Sequence, residues 1–234
     1  MNSYEDLRHT IASVRSQTYA PIEHIVIDGC SVDGTLDLLN QQHGAVDQWL
    51  SEDDAGPYDA MNKGLDLAKG EYIWFLNAGD TIAADDTLDQ VMADAKDADI
   101  VYGNAERVDV NGFCRPWHKK TPKTCDISAQ SFAAGMVVCH QALLVRRTIA
   151  PHYNTRWTVS ADIDWAIRCL NRTTSVHNVN NLICKFLDGG ISSKHRLRGF
   201  IERFHILHVH FGLRKTLNGH MNILLDFVRR GRWD

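Results

Sequence analysis

Apolar positions recur in two rhythms along the first hundred residues. Tyr4, Leu7, Ile11 and Val14 fall on one helical face, which predicts an amphipathic helix over residues 3–17, closed before Pro21. The run EHIVID, residues 23–28, is short and rich in β-branched side chains and predicts a buried strand. Gly29 and Gly34 then mark a tight turn into a helix over residues 35–41, and Trp49 closes a second short strand. Residues 59–68 predict a helix with Gly70 just past its end, and residues 72–76 a third strand. Leu88, Val91, Met92 and Ala95 mark another helix, with Asp85 and Asp86 suited to its first turn. Residues 99–110 predict a strand, with Asn111-Gly112 as a hairpin turn.

Strand and helix alternate this far, as in a mostly parallel sheet covered on both faces. The pattern then changes. Residues 114–131 are polar and irregular, with a basic patch at His118, Lys119 and Lys120. Residues 136–145 predict a strand, residues 160–170 a helix with Ile163, Ala166, Ile167 and Leu170 on its core face, and residues 176–186 a strand before the flexible Asp188-Gly189-Gly190 turn. Leu197, Phe200, Ile201, Phe204, Leu207, His208 and Phe211 form a wide stripe at helical spacing, and a last helix is expected over residues 216–229.

Composition narrows the class. Hydrophobic residues make up 44% and charged residues 23% of the 234 positions, as in an ordinary globular protein. No apolar run reaches the roughly 18–20 residues that span a bilayer, and the N-terminus lacks a basic head followed by an apolar core, so a cytoplasmic location is expected. The six cysteines form no C-x-x-C pair and read as reduced thiols. Residues 194–234 carry nine Lys/Arg against three Asp/Glu, a balance of +6. With a total of −4, that leaves −10 for residues 1–193. A basic tail on an acidic body suits an anionic neighbour, and peripheral contact with the inner face of the plasma membrane is the further expectation.

Candidate chemistry sits at strand ends, where α/β proteins place ligands. Asp28 to Thr35 follows a strand and opens a helix: its carboxylates suit the N–H or hydroxyl donors of a nucleoside, or cap the helix. Asn77-Ala78-Gly79-Asp80 ends the third strand, and Asp80 suits either a hard divalent cation or the cap of the next helix. Asp162 and Asp164 lie two residues apart near a helix start, about 200° around its axis, so they face nearly opposite sides. Of His205, His208 and His210 only the first two share a face, and no carboxylate completes a metal set beside them. His140 reads equally as a buried, hydrogen-bonded imidazole or as a site group.

Taken together, SVRSQTY, IVIDGCSVDGT, SEDDAGPYDAMNKG, GEYIWFLNAGD, CHQALLVRR, SADIDWAIR and FLDGGIS occur in the order seen in family 2 glycosyltransferases. The chain resembles the bacterial members of exopolysaccharide, O-antigen and colanic-acid type assembly, from Asn2 to about His195. The resemblance implies an α/β GT-A fold, Rossmann-like, with a mixed, mostly parallel sheet flanked by helices. It implies a glycosyltransferase domain over residues 1–192, followed by basic amphipathic helices over 193–234. It also implies an inverting hexosyltransferase that uses a nucleotide-diphosphate sugar donor, a glycan or lipid-linked acceptor, and Mg²⁺ or Mn²⁺.

By the same resemblance Asp28 and Asp33 match positions near the base and ribose. Residues 54–63 match a segment lining the donor pocket, with Asp54, Asn62 and Lys63 its polar members. Asp80, with Asn77 beside it, matches the last carboxylate of a D-x-D-type metal motif. Asp162 matches the catalytic base, and Gly189-Gly190 a mobile acceptor-side loop. Two departures stand out. Asn77 and Gly79 leave Asp80 as the only carboxylate of its motif. Family members also carry a central strand of about ten residues ahead of the helix that starts here at Ser3, and this chain is expected to begin after it. Two readings of function follow: an active inverting transferase, or a catalytically silent family member that binds a partner.

Overall fold

A computed structural model describes residues 1–42, 44–109, 111–117 and 127–230, with the side chains of Ile191 and of residues 222–230 left aside. The basic patch at His118, Lys119 and Lys120 lies outside the described residues, as do Arg232 and Trp233.

The first helix, α1 (Tyr4–Arg15), places Glu5 and Asp6 in its first turn and Arg15 in its last, matching the helix dipole at both ends. Strand β1 (Ile25–Asp28) leads through a turn to α2 (Thr35–Gln41), whose N-cap Gly34 takes a φ of 93°. Next come β2 (Gln48–Ser51) and α3 (Pro57–Leu67), which has Pro57 in its first turn, where no amide donor is missed. Then follow β3 (Tyr72–Trp74), β4 (Thr81–Ile82) and α4 (Thr87–Asp94). Strands β5 (Ile100–Val108) and β6 (Cys114–Pro116) pair antiparallel, as the expected hairpin requires. After β7 (Leu143–Arg146), α5 (Ala161–Leu170) and β8 (Val176–Leu187), a short α6 (Ile191–Lys194) leads into α7 (Arg196–Arg230). Helix α7 is broken at Gly212, where φ is 77° and ψ 166°.

The described strands form two sheets. β1 and β2 pair parallel by themselves. The second sheet runs β3-β7-β5-β8-β4, with β6 added to β5. Its β5–β8 pairing is parallel and the others are antiparallel, so the fold is a mixed α/β sheet in which the parallel ladders are β1–β2 and β5–β8. β1 and β3 each have one ladder partner, and no ladder joins the two sheets among the described residues.

The main core packs α5 between β5, β7 and α7. Trp165, Ile100, Tyr102, Ile206 and Leu207 are all fully buried in one cluster. Here two expectations need adjustment. Residues 136–145 are not one strand: a 3-10 turn at His140–Ala142 precedes β7, because the His140 side chain turns inward to Tyr153. The stripe on α7 is not a single core face either. Leu197 and Ile201 are 75% and 48% exposed and His208 is exposed, while Glu202 and Ile206 turn inward. A charged residue takes a core position because it has backbone donors to satisfy, described below.

Candidate active site

Three carboxylate groups gather at strand and helix ends. At the end of β1, Asp28 is buried and accepts hydrogen bonds from Ser31 N at 2.8 Å, from Ser31 Oγ, and from Ser51 Oγ at 2.7 Å across the parallel ladder. Burial pushes its carboxyl up, but these donors outweigh burial and hold it below the usual carboxylate range. Asp33 is exposed and accepts from Tyr4 N at 3.0 Å and from Thr35 N at 3.2 Å, so it binds the start of α1 to the start of α2. Gly34, the N-cap of α2, itself makes no side-chain cap bond. Asp54 leans over the turn: a methyl at Gly29 would lie 2.5 Å from Asp54 Oδ2. A side chain at residue 29 would therefore have to push the Asp54 carboxylate aside.

On α3, Asn62 acts as a backbone surrogate. It receives Tyr153 N–H at 2.6 Å and donates to Tyr153 O at 3.0 Å. Lys63 donates to Asp53 O at 2.6 Å and pairs with Glu52 at 2.9 Å.

In the turn between β3 and β4, Asp80 is 3% exposed. Its Oδ2 accepts from Asn77 N at 2.9 Å, Asn77 Nδ2 at 3.1 Å and Gln141 Nε2 at 3.2 Å. Its Oδ1 accepts Leu187 N at 3.3 Å and no other donor among the described residues. Burial pushes this carboxyl up, opposed by those four donors. No group of three or more His, Cys, Asp or Glu that could hold a metal ion occurs among the described residues. A hard cation here fits only as a one-carboxylate site: Oδ1 keeps free lone pairs, and donor phosphates and water would complete the shell, as is usual for Mg²⁺.

The third group is at the start of α5. Asp162 Oδ1 accepts Ile163 N at 3.0 Å and stands 3.5 Å from Tyr58 Oη, which donates to Val159 O at 3.0 Å. Burial pushes the Asp162 carboxyl up, partly offset by Ile163 N–H and by the Arg203 guanidinium on α7. Arg203 acts at a distance: its Nε is buried with no hydrogen-bond partner among the described residues. Asp164 engages other partners, His210 Nε2 at 2.7 Å and Arg168 Nε at 2.7 Å, so the two carboxylates of this helix serve different surroundings.

Glu202, one residue before Arg203, accepts backbone N–H groups of Thr158, Val159 and Ser160 at 2.8–3.0 Å. It thereby holds the loop that delivers Asp162. The sequence reading missed Gln141, Tyr58, Glu202 and Arg203. The available signal was a charged pair interrupting an otherwise apolar stripe.

The Asp80 and Asp162 groups meet through aromatic packing. Tyr58 stacks on Tyr153 with ring centroids 5.4 Å apart. Tyr153 Oη lies 2.5 Å from His140 Nε2, and Gln141 then reaches Asp80. Complete burial lowers the His140 pKa to about 4, so this imidazole is neutral and belongs to the core rather than to proton transfer. None of the candidate residues lines the surface cavity of about 400 Å³ between α1 and the end of α2.

Carboxylates thus stand at the end of β1, in the turn before β4 and at the start of α5 of a mixed α/β fold of the GT-A kind. The S. aureus TarS structure in complex with UDP-GlcNAc matches 99% of this chain and 74% of its own length, with a TM-score of 0.75 at 16% identity. The mannosyltransferase PcManGT from Pyrobaculum calidifontis, in complex with GDP-Man and Mn²⁺, matches 99% of this chain and 73% of its own, with a TM-score of 0.61 at 16% identity. In sequence, the PGL/p-HBAD biosynthesis glycosyltransferase Rv2957 of Mycobacterium tuberculosis is 32% identical over 203 residues, 82% of this chain and 75% of the relative. The model of glycosyl transferase family 2 matches residues 1–153, and the chain belongs to that family.

Proposed function

We propose that this chain is an inverting hexosyltransferase of surface-polysaccharide assembly. It would move a sugar from a nucleotide-diphosphate donor to a hydroxyl of a glycan or lipid-linked acceptor, at the cytoplasmic face of the membrane. The observation that carries this reading is Asp162. It is a carboxylate at a helix start, shifted upward by burial, accepting Ile163 N–H at 3.0 Å and standing 3.5 Å from Tyr58 Oη. Such a group is a stronger base than an ordinary carboxylate and keeps lone pairs with which to accept a proton.

In this mechanism Asp162 takes the proton of the acceptor hydroxyl as its oxygen attacks the anomeric carbon opposite the diphosphate. Asp28, at the end of β1, and Asp54, which follows β2 and leans over the same turn, face the nucleoside. Asp33, Asn62 and Lys63 shape the donor pocket through the hydrogen bonds that hold α1, α2 and α3 in place. Asn77 and Gln141 orient Asp80. Mg²⁺ or Mn²⁺ held by Asp80 Oδ1 and the donor would supply charge neutralisation for the departing diphosphate. Gly189 and Gly190 follow Leu187, the residue that touches Asp80, so closure of that loop would exclude water from the same carboxylate.

The test is a thermal-shift panel of UDP, GDP, dTDP and CMP with and without Mn²⁺, alongside a transfer assay. One nucleotide is expected to raise Tm in a metal-dependent way, and Asp80→Ala to abolish the rise. Asp162→Asn should keep that shift and lose about 10²–10⁴-fold in transfer; full transfer in that variant removes Asp162 from the role. The second reading, a silent partner-binding protein, is favoured by the missing ladder between β1 and β3. A cooperatively folded protein that no nucleotide stabilises would decide for it.

A further inference from the structure

We infer that the outer face of α6 and α7 is a docking surface for an anionic lipid bilayer. Helix α7 has two faces. One is packed: Ile206 and Leu207 are fully buried, and Gly219 lies so close to Ala133 O that any side chain there would collide. The other leaves Leu197, Ile201, Val209, Leu213, Leu217 and Met221 between 48% and 75% exposed. Leu197 and Ile201 are four apart before the Gly212 break, and Leu213, Leu217 and Met221 follow at the same spacing after it. Each helical segment thus carries its own exposed apolar line. Seven of the twelve large hydrophobics exposed among the described residues lie on this helix, so the exposure is concentrated rather than scattered.

Charge selects the occupant. Lys194, Arg196, Arg198, Arg214 and Lys215 are exposed beside these lines. The only acid in residues 192–221 is Glu202, which is 6% exposed and already bound to the 158–160 backbone. Over residues 192–221 this surface therefore shows cations and large aliphatic side chains with no exposed carboxylate of its own. An interfacial helix is built that way, with cations at the headgroups and aliphatic groups below them. A purely electrostatic partner such as a nucleic acid would have no use for the aliphatic line. The rest of the chain, at −10 over residues 1–193, is repelled by the same surface, which orients the molecule with α7 down. No helix among the described residues is long and apolar enough to cross a membrane, so the contact is peripheral. The inference deepens the proposed reading and rests on it for its purpose, since a lipid-linked acceptor is met at such a surface.

Vesicle flotation tests it without donor or acceptor, so its failure is distinct from failure of the transfer reading. The chain should float with 1:1 POPC:POPG vesicles and stay behind with POPC alone. Lys194→Gln/Arg196→Gln/Arg214→Gln should lower the partition coefficient about a hundredfold. Leu197→Ser/Ile201→Ser/Leu213→Ser/Leu217→Ser should abolish flotation while circular dichroism shows an unchanged melt. The glutamine variant keeps the test valid if the serine variant does not fold. Equal flotation with both lipids, no flotation at all, or flotation that survives the serine substitutions and is removed by heparin would overturn the inference. So would a dimer whose loss in the serine variant accounts for the covered face.

Discussion

The two sheets are held together by different forces. Around β1 and β2 the buried apolar set is Ile11, Val26, Leu38, Leu39 and Val46, and much of the order comes from polar side chains: Asp28 on Ser31 and Ser51, and Asp33 on the starts of two helices. Around β5 the core is aromatic and deep, with Trp165 stacked on Tyr153 at 5.0 Å and Tyr102 fully buried. Helix α1 bridges the two. It packs on the smaller core, while Thr10 Oγ1 donates to Asp80 O at 2.8 Å and accepts Gly79 N at 2.9 Å. The difference teaches that the β1–β2 side is ordered largely by directional bonds, each of which a single atom can remove. The larger side is ordered by packed volume, which fails only when a large group is taken out.

Substitutions can break that contrast, the most damaging first. Trp165→Ala removes a fully buried indole that donates to Pro151 O at 2.7 Å, and should cost about 3–5 kcal/mol in urea unfolding. An unchanged midpoint would mean that the aromatic core does not set global stability. Glu202→Gln should cost about 2–4 kcal/mol, because three backbone donors face a weaker acceptor. Burial raises the Glu202 carboxyl but the backbone donors and Arg198 lower it further, so its folded-state pKa is depressed. Its stabilisation is present above the ordinary Glu value of about 4.3 and is lost as pH falls through the folded value. The gap between wild type and Glu202→Gln should therefore close in acid and hold at pH 7.

A smaller change sharpens the contrast. Thr10→Val keeps volume but removes the donor to Asp80 O and one of the two acceptors of Gly79 N, which keeps Asp6 O at 3.1 Å. A cost of about 1–2 kcal/mol is expected, with faster amide exchange around α1 and β4 and little change in β5. Uniform loss of protection would show that the two regions open as one. Arg203→Met should leave stability nearly unchanged, since its Nε already lacks a partner. Arg203 lowers the Asp162 pKa, so its removal should move the acid limb of the pH–rate profile upward. A limb that stays in place would remove Arg203 from that role.

Much of this was legible in the chain. α2 matches its expected bounds because Gly34 and Thr35 mark its start locally, and the break between residues 211 and 216 coincides with Gly212. The opposite placement of Asp162 and Asp164 follows from helix geometry alone. What stayed hidden depends on partners distant in sequence. Helical spacing shows which residues share a face but not which face is covered, so Leu197 and Leu207 look alike until α5 is in place. Asn62 and Asp33 read as ligand groups, and the spacing does not reveal that each also binds a backbone N–H of its own chain, at Tyr153 and Tyr4.

The Asn77–Asp80 turn has an evolutionary consequence. Gly79 sits at a φ of 96°, and a methyl there would collide with Leu187. A second carboxylate cannot be placed at residue 79 by one substitution, because the aspartate would meet both a strained dihedral and an occupied volume. Leu187 would have to shrink first, and that step would loosen the strand end whose amide bonds Asp80. Each change is unfavourable without the other. Residues 79 and 187 are therefore coupled, and a Gly79→Asp/Leu187→Ala double variant should tolerate the new carboxylate better than Gly79→Asp alone.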